Sequence, residues 1–294
     1  MSNTPTRTSR WLVPALATTV TWGLWGAWSD LPAQHGFPET LTYVVWSLTM
    51  ILPAAWMLRA EGLPRSLSWR SALLGLATGL TGAAGVLALF PALSAGPAWL
   101  VFPIVSLSPV VTIALSSALL GERTGRAGLV GIALAVASLP LLNDWSPQAG
   151  TAGLGAWFPL SLLVMVLWGV QGWFIRLAHR SMGTGTIFGF MTLGGLLLVP
   201  VALVQTDWSA HIFWGLQGPV LSAGVQFLNA VGSLALVFAL REGKAIVVSP
   251  LTNAGSTAIT ALISVAITSA SPGPYKLAGI VLAILSAALL AVAD

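Results

Sequence analysis

From Trp11 to its last residues the chain is a succession of apolar runs, and none carries an Asp, Glu, Lys or Arg in its middle. The runs fall near residues 11 to 29, 41 to 58, 71 to 91, 97 to 119, 126 to 143, 156 to 175, 185 to 204, 217 to 240, 244 to 267 and 276 to 293. Each is roughly the 17 to 25 residues that a helix needs to cross a bilayer. The chain is 56% hydrophobic and only 7% charged, against about 25% charged in ordinary soluble domains. It cannot cover a water-facing surface, so its solvent is lipid. The connections are short and marked by Gly, Pro and Ser, which leaves no room for a soluble domain between spans. No cleavable targeting segment is expected, because only Arg7, Arg10 and their neighbours precede the first run.

The sequence pI near 10.4 suggests a nucleic-acid partner only at first sight. The few charges sit in the short connections, where membrane topology explains them. With the amino terminus in the cytoplasm, that side collects Arg7, Arg10, Arg59, Arg65, Arg70, Arg123, Arg126, Arg176, Arg180, Arg241 and Lys244, and the opposite side only Lys276. This obeys the positive-inside rule and puts both termini inside. There is no cysteine, so disulfides and thiolate metal sites are excluded, and three scattered histidines form no metal-ligand cluster. No cofactor is expected.

The two halves of the 294-residue chain overlay on each other. Leu87-Ala88-Leu89-Phe90 through Phe102-Pro103, moved forward by half the length, lands on Leu234-Ala235-Leu236-Val237 through Ser249-Pro250. With small slips, Trp22-Gly23 matches Trp168-Gly169, Gly26 matches Gly172, and Pro53 matches Pro200. The uncharged turn Leu93-Ser94-Ala95-Gly96-Pro97 corresponds to the basic turn Leu240-Arg241-Glu242-Gly243-Lys244. Equivalent turns therefore carry opposite topogenic charge. The expected architecture is all-α: ten transmembrane helices in two five-helix repeats, residues 1–147 and 148–294, joined near Trp145 to Trp157. An odd number of spans per repeat inverts the second copy, a construction used by many secondary transporters.

Gly96-Pro97-Ala98 through Pro103, Ser108-Pro109-Val110-Val111-Thr112, Leu120-Gly121-Glu122-Arg123 and Gly131-Ile132-Ala133 resemble the fourth and fifth helices of the drug/metabolite transporter superfamily, in its EamA-like branch. Lys276-Leu277-Ala278-Gly279-Ile280-Val281 resembles the last helix of that family. The resemblance covers both repeats. It implies ten helices, both termini inside, and a central cavity lined mainly by spans one to four and six to nine. In the second repeat the position equivalent to Glu122 is Ser269, so the Gly-Glu-Arg signature occurs once.

Candidate substrate contacts follow from polar and aromatic residues inside the spans. Ser222, Gln226, Asn229 and Ser233 recur every three or four residues and share one face of the eighth span. Their counterparts in the third span begin Gly75, Gly79 and Gly82. Amides facing lipid cost several kcal/mol each, so this face looks inward, either as interhelical glue or as a substrate surface. Asn253, Ser256, Thr257 and Thr260 repeat the arrangement on the ninth span after Pro250, with Ser106 equivalent to Asn253. Pro103, Pro109 and Pro250 each remove a backbone hydrogen bond and are candidate hinges or helix breaks; interrupted helices at matching positions point to a midplane site. Trp22, Trp25, Gly26 and Ser29 form one face of the first span, and Trp168 and Gln171 repeat it in the sixth. Such a wall suits a sugar ring, an aromatic amino acid or an organic cation. Tyr43 and Trp46 are further candidates. Trp11, Trp69, Trp145, Trp157, Trp208 and Trp214 fall at span ends and read as an interfacial belt.

The expected function is movement of a small organic metabolite across a bacterial inner membrane by alternating access. Within the branch it resembles, that implies export of an amino acid or related metabolite; a facilitator or uptake carrier for a sugar or other neutral solute is the alternative. An ion-coupled pump ordinarily needs an ionisable group at membrane depth, and Asp30 and His35, the nearest titratable groups, read as loop residues. A membrane-embedded enzyme would need a nucleophile, metal ligands or paired acids, and none is arranged here. A non-transporting receptor would leave the polar faces with packing as their only role. The expected partners are a small-molecule substrate and the lipid bilayer, with no nucleic acid, in a monomer or weak homodimer.

Overall fold

In the computed structural model, residues 8–62, 64, 67–95, 98–142, 155–268 and 273–292 are described. Arg7, Arg65, Trp145 and Ser269 lie outside them. Each apolar run is largely helical over its described part, and no strand occurs among the described residues. The first half contains α1 (Thr8–Trp28), the single turn α2 (Leu31–Gln34), α3 (Glu39–Thr49), α4 (Ile51–Glu61), α5 (Trp69–Ala95), α6 (Ala98–Val105), α7 (Ser108–Leu120) and α8 (Arg126–Leu142). The second contains α9 (Trp157–Ala178), α10 (Thr184–Leu197), α11 (Val199–Gln205), a π-helical turn (Leu216–Val220), α12 (Leu221–Glu242), α13 (Ala245–Thr268) and α14 (Pro274–Val292). Among the described residues, seven helical stretches are long and apolar enough to cross a membrane: Glu39–Glu61, Trp69–Leu93, Trp157–Ala178, Thr184–Gln205, Leu216–Glu242, Ala245–Ile267 and Pro274–Val292. Ser108–Leu120 and Arg126–Leu142 are shorter apolar helices.

Prolines set the interruptions, and they do so at matching places. The α3–α4 stretch is interrupted at Met50, three residues before Pro53, and α10 gives way to α11 at Leu198, two before Pro200. In both, a proline ring denies the preceding turn its hydrogen bond. Ser106 and Leu107 separate α6 from α7, whose first turn holds Pro109. Pro103 falls within α6. Pro250 behaves differently: α13 runs through it without a break.

The helices pack in reciprocal fashion. α1 lies against α12 and α13, and α9 lies against α5, α6 and α7; α8 and α14 pair with each other. Small residues allow the closest approaches. Gly79 and Gly194 put the backbones of α5 and α10 directly against one another. At the α8–α14 seam, Gly131 lies under Leu290 and its carbonyl accepts the Ser286 hydroxyl at 2.8 Å. Without a hydrophobic drive between helices in lipid, such backbone contact and hydrogen bonding hold them together.

The tryptophan belt needs correction. Trp69, Trp208 and Trp214 are exposed, as a belt requires, but Trp11 and Trp157 are 2% and 6% exposed. Trp11 packs against Gly243 in the α12–α13 turn. A tryptophan at a span end cannot be told from a core residue by position alone, because its surroundings come from other helices.

Candidate functional site

The two tryptophan faces meet their partners from the opposite half of the chain. On α1, the Trp22 indole N–H donates to the Asn229 backbone carbonyl at 3.4 Å, and the Trp25 indole N–H donates to Gln226 Oε1 at 3.1 Å. The Trp22 ring occupies the space where Gly232 has no side chain. On α9, the Trp168 indole N–H donates to the Gly82 carbonyl at 3.2 Å, and its ring lies over Gly85. Gly82 and Gly85 correspond to Asn229 and Gly232 in the repeat. The same N–H-to-backbone contact is thus made twice, with the halves exchanged.

A second pair of contacts repeats the exchange. The Thr260 hydroxyl of α13 donates to the Gly23 carbonyl of α1 at 2.9 Å, and the Thr112 hydroxyl of α7 donates to the Gly169 carbonyl of α9 at 2.8 Å. Gly23 and Gly169 leave room for Ile259 and Val111 respectively, and Gly26 and Gly172 for Thr260 and Thr112. In the sequence the Trp-Gly pairs are legible as a repeat, whereas Thr112 stands out only within the Ser108–Thr112 family motif and not as a contact to α9. Its equivalence to Thr260 is the signal that could have found it.

The two faces are not chemically equal. Gln171 occupies the position of Trp25, and Gly79 occupies that of Gln226. In one half an indole is therefore bonded to an amide. In the other the half-buried Gln171 amide fills the space beside Gly82, with no hydrogen bond to any other described residue. Gln226 is buried, and the half-buried Asn229 accepts the Ser233 hydroxyl at 3.2 Å. Its Nδ2 makes no hydrogen bond among the described residues.

The remaining candidates satisfy themselves locally. Asn253 Nδ2 donates to the Ser249 carbonyl at 2.9 Å, and the Ser256 hydroxyl donates to the Asn253 carbonyl at 3.1 Å. Ser106 Oγ donates to the Phe102 carbonyl at 2.7 Å. Tyr43 and Trp46 stand apart from the tryptophan faces. The Tyr43 hydroxyl donates to the Gly195 carbonyl of α10 at 2.8 Å, its ring is 1% exposed, and Trp46 packs beside it at 5.3 Å. These two fasten α3 to α10. Asp30 is exposed, and its carboxylate accepts the Gln34 amide at 2.9 Å.

Ionisable groups gather instead at one end of the molecule. A cavity of about 540 Å³ is lined by Glu61, His179, Met182, Gly183, Arg241 and Glu242. A neighbouring one of about 210 Å³ is lined by Leu120, Glu122, Arg176, His179, Arg180 and Arg241. Here Glu122 Oε1 accepts from Arg176 Nε at 2.8 Å and Oε2 accepts the Ile246 backbone N–H at 3.2 Å. Arg176 Nη1 donates to the Leu240 and Arg241 carbonyls, both at 3.0 Å. Glu61 Oε2 accepts the Gly185 N–H at 2.7 Å, in the first turn of α10. Just past the end of α9, His179 Nε2 bonds the Val237 carbonyl at 2.8 Å, which requires the proton on that nitrogen. Burial, aided by Arg176 and Arg241, pushes its pKa down to about 4. Hydropathy along the spans does not reveal this network, because its members lie at span ends; in the sequence its trace is the Gly121-Glu122-Arg123 motif. Among the described residues no group of three His, Asp or Glu could hold a metal ion.

The profile of one family, the EamA-like transporter family, matches the chain twice, over residues 9–143 and 155–292. A solved crystal structure is similar in fold, with a TM-score of 0.76 at 18% identity, over 95% of this chain and 98% of the other. No curated protein matches it. The chain belongs to the EamA-like transporter family.

Proposed function

We propose that this EamA-like chain carries a small organic metabolite across the bacterial inner membrane by alternating access. Ten spans form two inverted repeats, residues 1–147 and 148–294, with both termini in the cytoplasm. The α1–α12–α13 group and the α5–α7–α9 group rock about the tryptophan faces and open the space between them to each side in turn. The observation that carries this reading is the reciprocal contact set, Trp22 with Asn229 and Trp168 with Gly82. Two groups built from exchanged contacts can swap roles at little net cost, which is what a carrier needs.

The substrate surface is the unequal part of that set. Trp22, Trp25 and Trp168 offer aromatic faces, while Gln171, Asn229 and Gln226 offer amides. This suits a solute with one flat or apolar part and one hydrogen-bonding part, such as an amino acid or a related metabolite, and export is the direction expected of the family. The competing reading, a facilitator for a neutral solute, draws on the placement of Asp30. Exposed and paired with Gln34, it offers no carboxylate at membrane depth to couple a proton.

Proteoliposomes loaded with labelled amino acids or sugars, with and without a pH gradient, test both readings. Exchange or efflux of an amino acid supports the first and gradient-independent equilibration of a sugar the second. Gln171→Ala removes hydrogen bonds worth about 0.5 to 1.5 kcal/mol, so apparent affinity is expected to weaken up to roughly tenfold at unchanged thermal stability. Lower stability at unchanged affinity would return Gln171 to a packing role.

A further inference from the structure

Glu122 is held in place by the turn before it. Gly121 ends α7 in the left-handed region at φ 70, a conformation that favours glycine. The chain reverses there, the Glu122 N–H bonds the Ser116 carbonyl at 3.2 Å, and its side chain is turned across the molecule rather than along α7. It then meets three things at once: Arg176 at the end of α9, the first turn of α13, and through Arg176 the last turn of α12. The signs are matched to the helix ends. A carboxylate faces the unpaired N–H groups opening α13, and a guanidinium faces the unpaired carbonyls closing α12. The Glu122 side chain is 8% exposed and that of Arg176 24%, so water screens the pair little.

These two residues sit across the boundary that a rocking motion must open. Glu122 and Arg176 come from the α7–α9 group, whereas Leu240, Arg241 and Ile246 belong to the α12–α13 hairpin that packs on α1. Below the clamp the joint is closed: from Ala245 through Pro250 every residue of α13 is buried. The opposite end of the molecule has no such clamp available to it in sequence. The counterpart of Glu122 is Ser269, and under the slip that aligns Trp22 with Trp168 the counterpart of Arg176 is Asp30. A serine and an aspartate cannot rebuild a carboxylate–guanidinium pair, so the repeat is broken at the positions where the latch lies.

We infer that the Glu122–Arg176 clamp is a gate latch: it holds the arginine-rich end shut in the resting protein, and each transport cycle must release it to open the substrate space on that side. The inference rests on the alternating-access reading. The latch makes the two half-cycles unequal, because closing this end forms a carboxylate–guanidinium pair that the equivalent positions at the other end, Ser269 and Asp30, do not supply. Removing the charge from either partner shifts the resting population toward the state open at the arginine-rich end.

The test reads conformation rather than transport. In the cysteine-free chain, Gln171→Cys supplies one thiol at a half-buried position midway along α9, beside Gly82 of α5. Its labelling rate by a membrane-impermeant maleimide is measured from each side of oriented membranes, in the parent and in Glu122→Gln, Arg176→Gln and Arg176→Lys. Glu122→Gln and Arg176→Gln are expected to raise the rate from the arginine-rich side by about tenfold and to lower it from the other, with Arg176→Lys between them and the parent. Unchanged rates, or rates that rise from both sides together, overturn the latch. So does failure of all three variants to fold, since the clamp is then a structural tie only. No substrate is present, so a wrong choice of substrate leaves the result standing. Conversely, a labelling shift in a chain that transports nothing would leave the latch intact and remove the carrier reading.

Discussion

His179 shows how a single side chain at a helix end can report the state of the joint around it. Its neutral ring donates to Val237, and burial holds its pKa near 4, below the ordinary 6.5. Between those values the unfolded chain binds a proton that the folded protein refuses. The stability contributed by the neutral ring is therefore fully present above pH 6.5 and is lost as pH falls toward 4. Thermal unfolding in detergent is expected to show a midpoint that drops over this window in the parent and drops less in His179→Gln, which keeps a donor for Val237 but does not titrate. Carboxylates also titrate there, so the difference between the two curves is the quantity to read; parallel curves would show that the ring is not held neutral.

At the scale of an element, the glycines of α5 show what a helix gives up to approach a neighbour. A methyl group on Gly79 would meet the Phe190 carbonyl and the Gly194 backbone, neither of which can rotate away. Gly79→Ala must push α5 and α10 apart and is expected to cost roughly 1–3 kcal/mol, the range for overpacked sites. Gly224, on the exposed side of α12, has open space where its side chain would be. There alanine relieves the helix of a flexible residue, worth up to about 1 kcal/mol in soluble helices, so Gly224→Ala is expected to be neutral or stabilising. Unfolding midpoints of the two variants, measured side by side, check the contrast. Both glycines lie in apolar helices of similar composition, and the sequence does not rank them. Their difference lies in the partner helix.

For the whole molecule the decisive quantity is orientation. Eleven of the twelve basic residues are expected on one side, and the charge network around Arg176 joins Glu61, Glu122, His179 and Arg241 at a single end of the bundle. Single cysteines at Gln34 and Arg180, both exposed, are expected to react with an impermeant thiol reagent from opposite sides, position 34 from outside and position 180 from inside. Gln34 is preferable to its neighbour Gly36, whose φ of 82 disfavours any side chain. Labelling of both from the same side would require an even number of crossings between them in place of the expected five, and would remove the topology on which the carrier reading stands.

What the sequence determined by itself was whatever is local along the chain. Hydropathy sums over neighbouring residues, so the helices from Thr8–Trp28 to Pro274–Val292 fall on the apolar runs within a few residues. The match between Trp22-Gly23 and Trp168-Gly169 was equally visible, because an internal repeat is a property of the string. Only the tertiary structure decided which faces meet. Tyr43 and Trp46 resemble Trp22 and Trp25 in composition, yet they fasten α3 to α10, because the helix opposite them is α10. Pro250 and Pro109 look alike as breaks, but α13 continues through Pro250 while the chain before Pro109 leaves the helix at Ser106. Glu122 finds Arg176 and Ile246 at separations of 54 and 124 residues. Hydrogen bonds over such distances depend on how rigid helices dock, and docking is settled by glycine-scale shape on both surfaces at once, which no single stretch of sequence contains.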